Sequence, residues 1–513
     1  MSAAALPRAV TAPAFTHRLS RGDWIALGGV CVLAAVVRLG VRARFPGVVH
    51  PDETYQYLEQ AHRLVFGTGL EPWEFVVGLR SWLFPGMLAG IMALSRPLGT
   101  QPDAYLWPIA GVMVLASLPT IAVAYLWGRR SAGMLGGILA AGLPAVWFET
   151  AYYAAHPLAD SLGAALLIPG VYIVDSVRWM PGRRRLAWGG ALLAMAVALR
   201  AQLTPAAVLT ALAVCRLEWR ARWAPLLAGA AAPLVLLGVF DWITLGRPLQ
   251  SMWYYAWVNI GLGVASAFGA MPWHMYVHQE MTAWSRAGPL ILATALIGAW
   301  RRPLLLGNAA VLLLALSAIE HKELRYVLAP LTLVLILAGI GTAVVAGWVR
   351  ARLWRRLPDA AVAATCVLGW AAISAWYAPR TFADWLHNGV AMHEAMNAIS
   401  NDPSACGLAV SPEDQFSWMG GYVHLRPGIP LYALAWPELP PSPSAYDRIM
   451  TLTPPEAVLP DYGASGFTRE ACFTQTQPGE MAQLVCLWHR PGPCAVGVPV
   501  LRPAMPAFMD RLR

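Results

Sequence analysis

Apolar stretches long enough to cross a bilayer recur from residue 24 almost to residue 380, and nothing else in the 513-residue chain constrains its fold so tightly. Crossing hydrocarbon as a helix takes roughly 17–25 apolar residues, because lipid offers no partner to an exposed backbone N–H or C=O. Candidate spans lie at 24–41, 105–127, 132–152, 158–175, 186–200, 203–217, 224–244, 288–300, 303–319, 327–347 and 359–377. A further apolar stretch, 82–97, is shorter and contains Pro85. Only 13% of the residues are charged, against about 25% in soluble globular domains. The net charge of +9 does not point to nucleic acid. The basic residues are nearly all arginine and fall in short clusters between apolar stretches, as in cytoplasmic loops.

Those clusters orient the chain. Arg18 and Arg21 precede the first apolar run, which lacks a convincing cleavage site and reads as an uncleaved signal anchor with residues 1–22 in the cytoplasm. Arg183 to Arg185, then Arg216, Arg220 and Arg222, then Arg301 and Arg302, then Arg350, Arg352, Arg355 and Arg356 mark cytoplasmic loops. The loops 42–81, 153–158, 245–287 and 320–326 then share the opposite face with the tail from residue 380. A shared face needs an even number of crossings between loops, and Arg129 and Arg130 favour a cytoplasmic turn, so 82–97 is expected to be re-entrant or interfacial. The pair at 186–217 is interrupted by Arg200 and Pro205, and broken helices are tolerated only where they line a cavity.

The expected architecture is an all-α polytopic membrane protein with about 11–12 membrane segments over residues 23–379. A small mixed α/β domain outside the membrane follows over 380–513, where the long apolar runs give way to Pro, Gly and Asp. Cys31, Cys215 and Cys366 fall in apolar segments and read as packing residues. Cys406, Cys472, Cys486 and Cys494 all lie in the tail. An even set there suggests disulfides in an oxidising compartment, with three pairings open, and free thiols in a cytosolic tail are the alternative.

The stretch richest in chemistry is His50-Pro51-Asp52-Glu53-Thr54-Tyr55-Gln56-Tyr57-Leu58-Glu59, just past the first span. Proline suits a first helical turn and acids there complement the helix dipole. Tyr55, Leu58, His62 and Val65 follow at helical spacing, which predicts an amphipathic helix lying in the membrane interface. A carboxylate held at such a helix start is also a well-placed base. Trp73-Glu74-Phe75 and Gly78-Leu79-Arg80-Ser81-Trp82-Leu83-Phe84-Pro85 come next. Later segments are Phe268-Gly269 with Pro272-Trp273-His274-Met275-Tyr276, and Glu320-His321-Lys322-Glu323-Leu324-Arg325-Tyr326. The tail contributes Gly420-Gly421-Tyr422-Val423-His424-Leu425.

In this order the motifs resemble glycosyltransferase family 22, the polyprenyl-phosphate-mannose-dependent α-mannosyltransferases of N-glycan and GPI-anchor assembly, which have the GT-C membrane fold. The resemblance spans most of the chain. It implies an inverting glycosyltransferase that moves mannose, or a related hexose, from a polyprenyl-phosphate donor to a glycan or lipid-linked acceptor. A lipid phosphate leaves as a stable anion, so one base on the acceptor hydroxyl suffices, unlike a glycosidase with its two carboxylates. The family's catalytic acid maps to Asp52, with Glu53 as the alternative base. Cations must hold the phosphate. His321, Lys322 and Arg325 fit that role, Lys322 being the only lysine in the chain, although a lysine at a helix end also snorkels. Arg80 and the intramembrane Arg200 are further candidates. His50, Trp73, Glu74 and His274 complete the expected substrate site. Trp273 and Tyr276 either stack on a sugar or belong to the interfacial aromatic belt.

One departure bears on the donor. Where the family carries Arg-x-Leu-x-Asn-Ser, this chain reads His156-Pro157-Leu158-Ala159-Asp160-Ser161. Asp160 replaces the amide and the family's arginine is gone, which keeps other lipid-linked sugars such as glucose or aminoarabinose in play. No essential cofactor is expected. The alternative is a Mg2+ or Mn2+ ion shared by Asp52 and Asp160. A lipid-linked-sugar flippase is the reading from another class, but it predicts charges along a transbilayer path and often repeats, whereas the motif charges here fall on one face. The short loops and arginine-heavy composition point to a bacterial inner membrane with the site facing the exterior.

Overall fold

A computed structural model describes residues 19–353, 355–382, 386–412, 416, 419–434, 443–454, 462–474 and 484–495. Arg18 and the rest of the first eighteen residues lie outside the described residues, as do the last eighteen. Six of the described helices are long and apolar enough to cross a membrane: Arg21–Arg44, Asp103–Val146, Ala159–Ser176, Trp219–Leu245, Leu324–Leu353 and Asp359–Arg380. Four shorter apolar helices accompany them, at Leu83–Leu98, Ala201–Cys215, Ala287–Arg301 and Pro303–Ser317. A further helix, Arg183–Leu199, opens on three arginines and ends at Arg200. The chain is a multi-pass membrane protein, and its outer helices show it. Trp24, Ile25, Val32 and Val36 of the first helix, and Val235, Leu236, Trp242 and Ile243 further on, are all exposed, as lipid-facing side chains must be.

The spans expected at 105–127 and 132–152 are the two arms of a hairpin within Asp103–Val146, whose backbone leaves helical geometry at Ala132 and Gly133. Its 44 residues would reach about 66 Å if straight, twice the bilayer core. Gly128 and Gly136 let the arms touch: a Cβ on Gly128 would lie 2.1 Å from the Gly136 carbonyl oxygen. Small residues let membrane helices approach this closely. The stretch at 82–97 forms a helix of only 13 residues, Leu83–Ser95. At about 20 Å it is shorter than the bilayer core, and a 3-10 turn over Arg96–Leu98 continues it.

The bundle has two chemically distinct ends. At one, the Ser20–Asp23 capping box starts the first helix, and Asp23 takes a 2.6 Å contact from Arg129 Nε at the hairpin turn. Arg302 Nε donates to Ser131 Oγ nearby, and Arg130 and Arg302 both lie over Trp179. At the other end the loops 42–81, 153–158, 245–287 and 320–326 converge, and the tail packs on them. The shared face read from the arginine clusters is therefore a physical assembly.

The tail carries a five-stranded mixed sheet in the order β2-β1-β3-β5-β4, with β1 Leu408–Ser411, β2 Leu431–Ala433, β3 Arg448–Thr453, β4 Thr468–Thr474 and β5 Leu484–His489. β1 runs parallel to both β2 and β3, and β5 runs antiparallel to both β3 and β4. Helix Val390–Asn401 covers one face through Met392, Met396 and Ile399. The four tail cysteines pair as Cys406–Cys494 and Cys472–Cys486. Cys31, Cys215 and Cys366 stay free.

Candidate active site

Pro51 starts a helix, as its fixed φ favours, but the next turn widens to a π-helix over Glu53–Leu58 before α geometry resumes at Glu59–Phe66. Such single wide turns recur at functional sites because they re-aim a side chain within a helix. The expectation of an amphipathic helix with one wet face is corrected here: every residue from Glu53 to His62 is buried. The tail covers the face that period alone leaves open to water. Tyr55 Oη donates to the Gly420 carbonyl at 2.5 Å and to that of Phe416 at 3.1 Å. Glu59 accepts from the Val423 N–H at 2.6 Å and the Leu70 N–H at 2.7 Å. Gly421 sits so close that a Cβ there would lie 2.4 Å from Glu59 Oε1.

This helix presents Asp52 to a cavity of about 670 Å³. The first loop supplies one wall, with His50, Asp52, Gln56, Trp73, Glu74 and Arg80. Opposite stand Tyr255, Asn259 and Phe268 of the third loop, and His321, Glu323 and Tyr326 of the fourth. Trp73 and Phe268 stack at 6.2 Å between centroids. The cavity continues past Arg80, Gln202 and Tyr255 into a narrower recess lined by Tyr57 and Arg200. The broken pair of helices at 186–217 thus does line a cavity.

One guanidinium organises the charges. Arg325 lies 2.5 Å from Asp52 Oδ2, 2.5 Å from Glu323 Oε2 and 4.0 Å from Asp160 Oδ2. Asp160 is held on both oxygens by Arg200. His50 bridges Asp52 and Glu323 at 3.5 and 3.3 Å. Glu323 also takes contacts from His321 Nε2 at 2.8 Å and Tyr326 Oη at 2.7 Å. Burial raises the Asp52 carboxyl, but Arg325 and then His50 pull it well below the ordinary carboxylate range. Glu323 is lowered by the same neighbours against the same burial. The Glu323 hydrogen bond raises His321 in turn.

Two groups in the cavity escape this pairing. Arg80 lies 4.8 Å over the Tyr255 ring, its Nε is buried without a partner, and among the described residues no carboxylate stands within ion-pair distance. Glu74 accepts from Gln56 Nε2 at 2.8 Å, and among the described residues no cation stands within ion-pair distance of it. Burial first, then the Asp52 charge, push Glu74 up to about 7.

Several residues expected in the site are placed elsewhere. Glu53 faces away from the cavity, accepting from Val49 N at 3.1 Å and meeting His156 Nδ1 at 2.9 Å. It braces the first loop against the second. Lys322 is buried, and its Nζ donates to the Ser317 carbonyl at 3.0 Å and to that of Ile319. It caps helix Pro303–Ser317, where bare carbonyls attract a cation, and does not line the cavity. Trp273 and His274 are exposed and stack edge-on against each other, outside the cavity. Tyr276 is fully buried, and its Oη accepts from the Glu323 N–H at 3.3 Å. The sequence alone assigned no role to Gln56, Tyr255, Asn259 or Glu323. Gln56 and Glu323 stood inside recognised motifs, whereas no local signal marked Tyr255 or Asn259.

A divalent ion shared by Asp52 and Asp160 does not fit this geometry. Arg325 already lies against both acids and Arg200 occupies both oxygens of Asp160, leaving no pair of free oxygens for a hard cation that takes about six.

The sequence model of the Alg9-like mannosyltransferase family matches residues 30–410. Among curated relatives, GPI mannosyltransferase 3 of Drosophila melanogaster is 27% identical over 306 residues, 56% of this chain and 51% of the relative. Mannosyltransferase APTG1 of Arabidopsis thaliana is 28% identical over 318 residues, 56% and 54% of the two chains. The chain spans about half the length of the curated relatives it matches. Among solved structures, ArnT from Cupriavidus metallidurans bound to undecaprenyl phosphate superposes with a TM-score of 0.51 at 13% identity, over 91% of this chain and 98% of that one. At that identity the likeness speaks for the fold alone, which is the expected membrane architecture.

Proposed function

The chain belongs to the Alg9-like mannosyltransferase family, and from that premise we propose that it transfers mannose, or a related hexose, with inversion from a polyprenyl-phosphate donor to a glycan or lipid-linked acceptor. The observation that carries the reading is the meeting of Asp52 and the uncompensated Arg80 in one large cavity among the loops. Arg80 attracts the donor phosphate, because a half-buried guanidinium whose Nε is buried without a partner gains when an anion reaches it. The ArnT structure holds undecaprenyl phosphate, a lipid of the same chemical class. Asp52 takes the proton from the acceptor hydroxyl as that oxygen attacks the sugar carbon. The phosphate departs with the bonding electrons, so no acid is needed on the leaving side. Arg325 keeps Asp52 ionised and aimed until then.

The loops that build the cavity face the exterior in this reading, and the membrane is a bacterial inner membrane. Transfer proceeds without a metal, since the two acids that would hold one are paired with arginines. The pairing of Asp160 with Arg200, in the loop that departs from the family motif, favours a second reading in which the donor carries another sugar. Asp52→Asn should lower transfer from labelled polyprenyl-phosphate-mannose in membranes by about a hundredfold or more, with insertion unchanged. Near wild-type transfer in that variant would move the base elsewhere. A wild-type protein that transfers a different sugar from its polyprenyl phosphate, and not mannose, would establish the second reading.

A further inference from the structure

The cavity holds more acid than a one-base transfer needs. Of its carboxylates, Asp52 and Glu323 each meet Arg325, and nearby Asp160 meets Arg200. Glu74 alone among these four has no cationic partner within ion-pair distance, and its Oε1 is fixed by the Gln56 amide. Gln56 stands four residues after Asp52 and lines the same cavity. The Gln56 side chain therefore holds Glu74 in the cavity that Asp52 also lines. Its own Oε1 is buried without a donor, which leaves an acceptor free for an O–H between Asp52 and Glu74.

We infer that Glu74 is where the acceptor's proton comes to rest, taken from Asp52 across a hydroxyl or water held by Gln56 Oε1. This deepens the proposed transfer and rests on it. The acceptor O–H breaks as the new glycosidic C–O bond forms, and the departing phosphate keeps the electron pair of the bond that breaks. Asp52 receives the proton first. A protonated Asp52 forfeits its ion pair with Arg325, so it is a poor place to leave a proton. Glu74 forfeits no ion pair by accepting one, and its burial and the Asp52 charge favour its neutral form. Passing the proton on restores Asp52–Arg325 before the product leaves, and Glu74 then discharges to water through the cavity mouth.

Glu74 must be ionised at the start of each turnover, so the rate should rise with pH through about 7. The other groups that face it are Asp52 and His50 on the first-loop helix, Arg80 beyond it, Tyr255 on the third loop, and His321, Glu323 and Tyr326 on the fourth. Two imidazoles, His50 and His321, line the same cavity, so the assignment requires a variant. The test measures transfer from labelled polyprenyl-phosphate-mannose to endogenous acceptor in membranes holding the full chain, between pH 5.5 and 8.5. Wild type should gain up to about tenfold per pH unit below 7, since the ionised fraction of one group scales so. Glu74→Gln should be slower by about a hundredfold at pH 8 and flat across the range. Glu74→Asp should keep an acid limb displaced from that of wild type. A Glu74→Gln enzyme with the wild-type pH profile overturns the inference. So does an unmoved limb in Glu74→Asp, which decides the matter if the amide variant does not insert. Failure of the wild type to use this donor at any pH would instead refute the proposed transfer from it.

Discussion

Replacing Gly421 by alanine tests how the tail controls the first loop. The Gly421 backbone is extended, with φ 165°, so alanine brings no conformational strain and acts through its methyl alone. That methyl would lie 2.4 Å from Glu59 Oε1 and 2.8 Å from Cδ, about 1 Å inside ordinary contact. Glu59 is fully buried, and it can retreat only by lengthening its bonds to the Val423 and Leu70 N–H groups. Overpacking costs about 1–3 kcal/mol and a buried N–H left without its acceptor about 1–3 more, so a total near 2–6 kcal/mol is expected. At about 1.4 kcal/mol per decade, the docked tail loses roughly 30- to 20,000-fold in population. Glu59→Asp draws the carboxylate back by about one C–C bond, 1.5 Å, and makes the missing room. Tryptophan-fluorescence melting of the purified protein should show each single variant destabilised. The double variant should be better than their sum by about 1–2 kcal/mol. Additive singles, or a Gly421→Ala protein that melts like wild type, would refute the docking argument.

Two further outcomes follow from the site. Arg80→Met should raise the donor KM at least tenfold, whereas Lys322→Met should leave KM within about twofold and lower stability by about 1 kcal/mol, the worth of a helix-end cation; donor titration and melting separate them. Glu59 is raised from 4.5 to about 7 by burial, and the sign for a raised acid is that its stabilisation is whole below 4.5 and lost as pH rises through 7. Unfolding free energy should therefore fall from pH 5 to pH 8, by up to about 3 kcal/mol from this group, with the melting temperature following it, and Glu59→Gln should flatten that slope.

The membrane spans, the paired ends of the bundle and the motif-bearing loops were legible because each depends on local composition. A run of apolar residues must enter lipid whatever it packs against, and arginine clusters fix which loops lie together. Asp52, Arg80 and Arg325 were found because they sit in motifs, and the cavity collects all three or their partners. The direction of Lys322 was not legible. Its ammonium serves the carbonyls of the helix before it, and spacing along a chain does not reveal which way a flexible side chain turns. Nor could period distinguish water from the tail on the outer face of residues 55–62, since the covering residues lie more than 350 positions later. The cystine pairing needed strand register, with Cys472 opposite Cys486 across β4 and β5.

The solitary ε-amine has a practical use. With Lys322 only 4% exposed, amine-reactive probes find no accessible side chain anywhere in the described structure. A lysine introduced into the 183–185 loop, or into the exposed stretch at 271–274, would stand out against an almost silent background. Reagents that cannot cross the bilayer would then read off, site by site, on which side each loop lies.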